Sequence, residues 1–210
     1  MCEIAGFVTC PPLGEARACS LTHAMAERLV HRGPDAEGVW SDSDGRVALG
    51  HRRLSIIDLR VAGRQPTPSA SGRWCIIFSG EMFNYQDLRV ALEHVSRGAA
   101  KWRGHSDTEV IAAAVEQGGV IRTVRELAGQ STIGFGDDMG QELYLARDRF
   151  GEKPLCYGFV GSSFAFASST GICISMRLAA RRRTCSIAMC RRPGASASAS
   201  GRFLQYPCYP

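Results

Sequence analysis

The chain has 210 residues, 45% hydrophobic and 21% charged, a composition that fits one globular domain with a tail and leaves no room for a second catalytic domain. Its formal charge of +5 is unevenly placed: residues 171–210 carry seven arginines and no acidic residue, and residues 1–170 carry 18 basic against 20 acidic residues. The body is mildly acidic and the arginine tail lacks interleaved aromatics, which argues against a nucleic-acid binder.

Short apolar runs separated by turn residues predict strands at Ile4–Val8, Gly38–Trp40, Val47–Leu49, Cys75–Phe78, Leu143–Leu145, Leu155–Val160 and Ser163–Ala167. Between them lie three helical patterns. Ser20 is placed to cap a helix with Leu21, Met25 and Leu29 on one face; Asn84 precedes another with Leu88, Ala91, Leu92 and Val95. Thr108 to Gln117 forms the third, with Glu109 in its first turn and Gly118-Gly119 at its end. Many strands with few helices predict two packed sheets covered by helices.

After about Thr170 neither period survives: Arg181-Arg182-Arg183 is followed by an Ala-Ser repeat from Ala195 to Ser200. The composition predicts a domain over 1–169 and a basic low-complexity tail over 170–210, disordered or read in a shifted frame. The nine cysteines are odd in number, irregularly spaced and lack paired C-x2-C steps, so no metal ligand set is assigned. No run approaches the ~18 apolar residues of a membrane span, and the N-terminus lacks a basic region followed by an apolar one. A soluble, cytoplasmic protein with reduced thiols is the expectation.

Cys2 follows the initiator methionine directly, and a small second residue is what methionine removal requires. The exposed α-amine, with a reference pKa of about 7.7 to 8.0, is itself a base for the thiol proton, so no histidine is needed to activate the sulfur. His31, His51 and His105 therefore need no catalytic role, although a cysteine-histidine hydrolase is the weaker alternative.

Six ordered motifs place Cys2 in context. They are Met1-Cys2-x-Ile4-Ala5-Gly6-Phe7, His31-Arg32-Gly33-Pro34-Asp35, Gly50 to Asp58, Phe78-Ser79-Gly80-Glu81-Met82-Phe83-Asn84, Gly104-His105-Ser106-Asp107-Thr108-Glu109, and Ala146 to Leu155. Together these strongly resemble the class II glutamine amidotransferase domain of asparagine synthetases. The resemblance implies an α+β N-terminal-nucleophile hydrolase fold, a four-layer αββα sandwich. It also implies a reaction in which the Cys2 thiolate attacks the side-chain amide of glutamine, ammonia leaves, and water hydrolyses the γ-glutamyl thioester.

By the same resemblance, Ser79 and Gly80 occupy the oxyanion hole, Arg53 binds the substrate α-carboxylate, Asp107 binds the α-ammonium and Glu81 accompanies it. A guanidinium suits bidentate carboxylate contact. Asp107 also reads as a helix cap, and the two roles are compatible. Arg32 to Asp35 matches the loop that closes over glutamine, while its Gly and Pro are ordinary turn formers. No cofactor is expected in this domain. ATP and magnesium would belong to a synthetase domain whose phosphate-binding pattern does not occur after Ser169, so the chain is expected to be truncated before that domain and to feed ammonia, at most, to a separate acceptor.

Three departures set up the competing reading of an impaired remnant or glutamine-binding pseudoenzyme. Ser79 stands where the family has asparagine, with shorter reach and one donor only. Glu3 stands where the family has glycine, placing a carboxylate next in sequence to the nucleophile, where it would hinder activation. Residues Gly129 to Asp138, polar and glycine-rich, replace an apolar strand resembling Gly-Met-Phe-Ala-Phe-Ala, which predicts a weaker strand.

Overall fold

The computed structural model describes residues 2–54, 63–95 and 102–169, together with the backbone of strands Ser186–Cys190 and Gly201–Gln205. Eleven strands and three helices are assigned among these residues. One sheet has the order β2(Ala36–Ser41), β3(Val47–Arg53), β1(Glu3–Val8), β9(Ser163–Ala167), β8(Cys156–Val160). The other runs β11(Gly201–Gln205), β10(Ser186–Cys190), β7(Glu142–Arg147), β6(Gly129–Asp137), β5(Trp74–Met82), β4(Thr67–Pro68).

The alternation of each strand separates the layers. Ile4 and Val8 of β1 join Val47, Leu49, Ile77, Leu143, Leu145 and Phe166 in the core between the sheets. Ala5 and Phe7 point the other way, onto Ala18, Met25 and Leu29 at helix α1(Glu15–Glu27). On the far side, Ile76, Phe78, Ile133 and Phe135 pack under helix α3(Asp107–Glu126), and Leu92 of helix α2(Tyr85–Val95) packs on Val110 and Ala114. Helices thus lie outside two facing sheets, the expected αββα order. Each fully buried Ile, Leu or Phe of these clusters contributes about 1.5–3 kcal/mol relative to an exposed one.

All seven expected strands form. The helices differ in their ends. α1 starts at Glu15 after Gly14, so Ser20 lies inside it and is no cap; Leu21 is exposed, and Met25 and Leu29 are buried. α3 does not stop at Gly118-Gly119: Gly119 takes φ 74, a left-handed break, and helix continues to Glu126, where Val120 and Thr123 are buried. The cap of α3 is Ser106, whose side chain accepts from the Glu109 N–H, and Asp107 is the first helical residue.

The strand expected to be weak runs its full length as β6, paired on both sides by β5 and β7. Ile133 and Phe135 are buried on the helix side, while Gly134 and Gly136 face the other sheet. A Cβ at Gly134 would lie 2.8 Å from the Ile77 side chain, and one at Gly136 2.6 Å from the Trp40 ring, so these glycines admit close packing. In segment 170–210, for which the sequence reading placed no regular element, β10 adds antiparallel to the outer edge of β7 and β11 to β10. No helix among the described residues is long and apolar enough to cross a membrane.

Candidate active site

Cys2 precedes β1 on its core-facing side. Glu3 pairs with Arg52 and Ile4 with His51, so the β1–β3 register sets Cys2 beside Arg53, and the Cys2 Sγ lies 3.8 Å from the Leu54 carbonyl oxygen. Side chains two apart share a face, so Cys2, Ile4, His51 and Arg53 point toward the second sheet, and Glu3 and Arg52 point toward α1. Arg52 there binds Glu37 at 2.8 Å and donates to the Ala26 carbonyl.

This alternation answers the concern over Glu3. Its carboxylate lies across the strand from the thiol, buried, bound to Arg32 at 3.0 Å and to the Ser168 hydroxyl. Ser168 in turn accepts from the Ile4 N–H at 2.8 Å. Arg32 belongs to the Arg32-Gly33-Pro34-Asp35 loop, which lies between the end of α1 and β3: the Arg32 and Gly33 N–H groups donate to the Leu29 carbonyl, and the Asp35 N–H to the Arg53 carbonyl at 3.0 Å.

The second sheet supplies β5. Cys75, Ile77 and Ser79 face the inter-sheet core; Ser79 is buried and its hydroxyl donates to the Cys2 carbonyl oxygen at 2.5 Å. A serine hydroxyl has one proton. With that proton on the Cys2 carbonyl, Ser79 joins the two sheets at Cys2 but does not offer a donor to a bound amide.

The next residue faces differently. Main-chain groups of a strand alternate between neighbours. Trp74 accepts from the Ser69 N–H on the β4 side, so Ile76, Phe78, Gly80 and Met82 also direct their N–H groups there. β4 covers only two residues. Beyond it the Phe78 N–H donates to the Gln65 side chain at 2.5 Å, and the Met82 N–H to the Asp107 carboxylate. The Gly80 N–H lies between them, with no strand among the described residues opposite it. Glycine is required at this position, since a Cβ would lie 2.1 Å from the Gln130 carbonyl oxygen.

The structure therefore brings Cys2, Arg53, Ser79 and Gly80 to one end of the sandwich, with Asp107 joined to the same strand through Met82. Glu81 stands apart. It is exposed and lines a cavity of about 300 Å³ with Phe83, Arg149 and Phe150, which does not include Cys2, Arg53, Ser79 or Asp107.

Two titratable groups are displaced by this packing. Burial, with the Arg53 charge next to it, pushes His51 down to about 3 against the opposing effect of its hydrogen bond to the Phe78 main chain. The ring is therefore neutral near pH 7, and its Nε2 has no partner among the described residues. Burial pushes the Asp107 carboxyl up, although hydrogen bonds from Thr108 and Met82 work against this. Such a carboxylate gains from a cation placed next to it.

Gln65, Thr108 and Ser168 were not singled out in the sequence. None carries a charge or a nucleophile suited to Cys2 chemistry, and only tertiary contacts give them a part. Gln65 donates to Thr108 Oγ1 at 3.3 Å, and Thr108 donates through its N–H to Asp107 Oδ1 at 2.8 Å.

Comparison with known proteins agrees with this geometry. The glutamine amidotransferase domain family matches residues 1–183. The chain is 34% identical over 169 residues to asparagine synthetase [glutamine-hydrolyzing] 2 of Bacillus subtilis, covering 80% of this chain and 21% of that protein. It is also 34% identical over 167 residues to amidase chry2 of Gibberella zeae, covering 75% and 24%. The chain thus spans about a quarter or less of the length of these relatives. Among solved structures, glutamine phosphoribosylpyrophosphate amidotransferase from B. subtilis superimposes with a TM-score of 0.75 over 95% of this chain and 48% of that one, at 18% identity, which shows the shared N-terminal-nucleophile hydrolase fold. With Cys2 at the start of a core strand and Ser79 bonded to its carbonyl, and with the family match over residues 1–183, the chain belongs to the glutamine amidotransferase domain family and is similar over that domain to asparagine synthetases.

Proposed function

We propose that this chain hydrolyses glutamine to glutamate and ammonia, with Cys2 as nucleophile, for an asparagine-synthetase-type acceptor that consumes the ammonia. The observation that supports the reading is the bond of the Ser79 hydroxyl to the Cys2 carbonyl at 2.5 Å, which joins the residue before Gly80 to the main chain of Cys2. Once Met1 is removed, the Cys2 α-amine takes the thiol proton and the sulfur adds to the amide carbon. The charge on the carbonyl oxygen is met by the Gly80 N–H. The C–N bond breaks as the α-ammonium returns its proton to the leaving nitrogen, and ammonia departs from a γ-glutamyl thioester. Water, deprotonated by the same amine, then cleaves the thioester to give glutamate and the free thiol. Arg53 receives the substrate α-carboxylate and Asp107 the α-ammonium, with Glu81 at the outer rim. ATP and magnesium belong to the acceptor's chemistry and enter no step here.

A slow or binding-only variant of this reading rests on one specific observation: the Ser79 proton is engaged by the Cys2 carbonyl. Loss of one oxyanion donor costs about 10²–10³ in rate. An asparagine amide has two protons, one for the Cys2 carbonyl and one for the oxyanion. A glutaminase assay on the processed chain beside Ser79→Asn decides between the two: turnover in both, faster in the variant, supports hydrolysis with a missing donor. Glutamine binding without turnover in either leaves a pseudoenzyme. Labelling by a glutamine-like diazo-ketone at a cysteine other than Cys2 would remove the nucleophile assignment.

A further inference from the structure

We infer that Gln65 is a positioning residue that fixes the separation between the amide-hydrolysing and amino-acid-binding ends of the glutamine site. The inference rests on the hydrolase reading above. Gln65 lies where a longer β4 would face Phe78, and there its side chain, in place of its main chain, meets the Phe78 N–H. Its Oε1 accepts the Phe78 N–H at 2.5 Å, and its Nε2 donates to Thr108 Oγ1 at 3.3 Å. Thr108, itself buried, reaches Asp107 Oδ1 through its N–H at 2.8 Å and its hydroxyl at 3.4 Å. One amide thus spans from the strand that carries Gly80 to the helix start that carries Asp107.

The span is braced from both sides. His51 of β3 donates to the Phe78 carbonyl, so Phe78, the residue before Ser79-Gly80, is held through both its N–H and its carbonyl. The Gln65 carbonyl oxygen lies against Gly38 of β2, where a Cβ would come within 2.0 Å of it, so the residue is wedged on the first sheet. Glutamine is a flexible chain, and a site that holds both its ends hydrolyses it efficiently only when their spacing matches the attack geometry. A misplacement of about 1 Å can cost 10²-fold in rate.

Two variants of the full, processed chain separate this role from simple edge stabilisation. Thr108→Val keeps the Phe78 bond and the main-chain bond to Asp107 but removes the hydroxyl that joins Gln65 to Asp107; it is expected to raise KM for glutamine about tenfold, the effect of one hydrogen bond near a charge, with kcat little changed. Gln65→Met loses both bonds and is expected to lower kcat about 10²-fold as well, with faster hydrogen exchange at the Phe78 amide by NMR. If Gln65→Met does not fold, Thr108→Val carries the test alone. An unchanged KM in Thr108→Val, or unchanged kcat and Phe78 exchange in folded Gln65→Met, overturns the inference. Wild-type chain that binds glutamine without turnover overturns the hydrolase reading instead; the shift of glutamine Kd in Thr108→Val and the exchange at Phe78 in Gln65→Met then still decide the role of Gln65.

Discussion

Replacing His51 by Asn tests how the two sheets are joined beside Cys2. His51 is 1% exposed, and its Nε2 lacks a partner among the described residues, so Nδ1–H makes the bond to Phe78, and an asparagine amide can stand in for it. The pKa falls from 6.5 unfolded to about 3 folded. A group whose folded pKa is depressed contributes stability that is full above its unfolded value and is lost as pH falls toward the folded one. The window is therefore pH 6.5 down to about 3. At pH 4.5 the loss relative to pH 7 amounts to about 2–3 kcal/mol. For a chain of this size that lowers Tm by about 5–10 °C. Asp137, held low by Arg73, adds a loss below the usual carboxylate range, whereas Asp42 and Asp107, raised by burial, oppose it. Comparing the wild type with His51→Asn cancels these shared contributions. Urea unfolding at pH 7, 5.5 and 4.5 should show a steep fall in the wild type and a shallower one in the variant, whatever the variant loses at pH 7. Parallel curves would refute a buried neutral His51.

Arg53→Lys is expected to weaken glutamine binding by about 1–3 kcal/mol, because an ammonium cannot reproduce paired guanidinium contacts; unchanged affinity by calorimetry removes Arg53 from the site. Arg32→Ala should cost more stability than Glu3→Gln. The first leaves a buried carboxylate with the Ser168 hydroxyl, about 3–5 kcal/mol, whereas the second removes the buried charge beside a half-exposed arginine, about 1 kcal/mol. Equal losses in chemical unfolding would contradict the buried pair. Asp107 must be ionised to hold an ammonium and its carboxyl is raised, so glutamine affinity should fall with acidification from above the ordinary carboxylate range. In Asp107→Asn affinity should be weaker and flat over that range; an equal slope in both proteins places the titrating group elsewhere.

Local pattern made much of the architecture legible. Strands such as Ile4–Val8 and Cys75–Phe78 combine apolar runs with turn residues at their ends, and Ser106-Asp107-Thr108-Glu109 carries a helix start in its own side chains. Cys2, Arg53, Ser79, Gly80 and Asp107 were singled out by motif order. Glu81 was singled out in the same way, and it is exposed at a cavity that it lines with Phe83 and Phe150. Helix ends were less legible: Ser20 is as good a cap as Ser106 in isolation, but packing on β1 and β3 continues α1 back to Glu15.

By itself the sequence determined the family and the order of seven strands and three helices, and it singled out Cys2 as the candidate nucleophile, because these depend on residue type and on spacing along the chain. Tertiary structure alone decided what each polar group does. Whether Glu3 faces the thiol or the opposite side of β1 depends on strand register, and whether Ser79 keeps its proton for a substrate depends on a carbonyl 77 residues away. The glycines of β6 read as defects until Ile77 and Trp40 fill the space above them. The placement of β10 against β7 depends on an edge with open main-chain groups, which leaves no periodicity in the added segment. Gln65 has no chemical signal at all, because a positioning role is a distance between partners, and distances between residues far apart in sequence are fixed only when the two sheets pack.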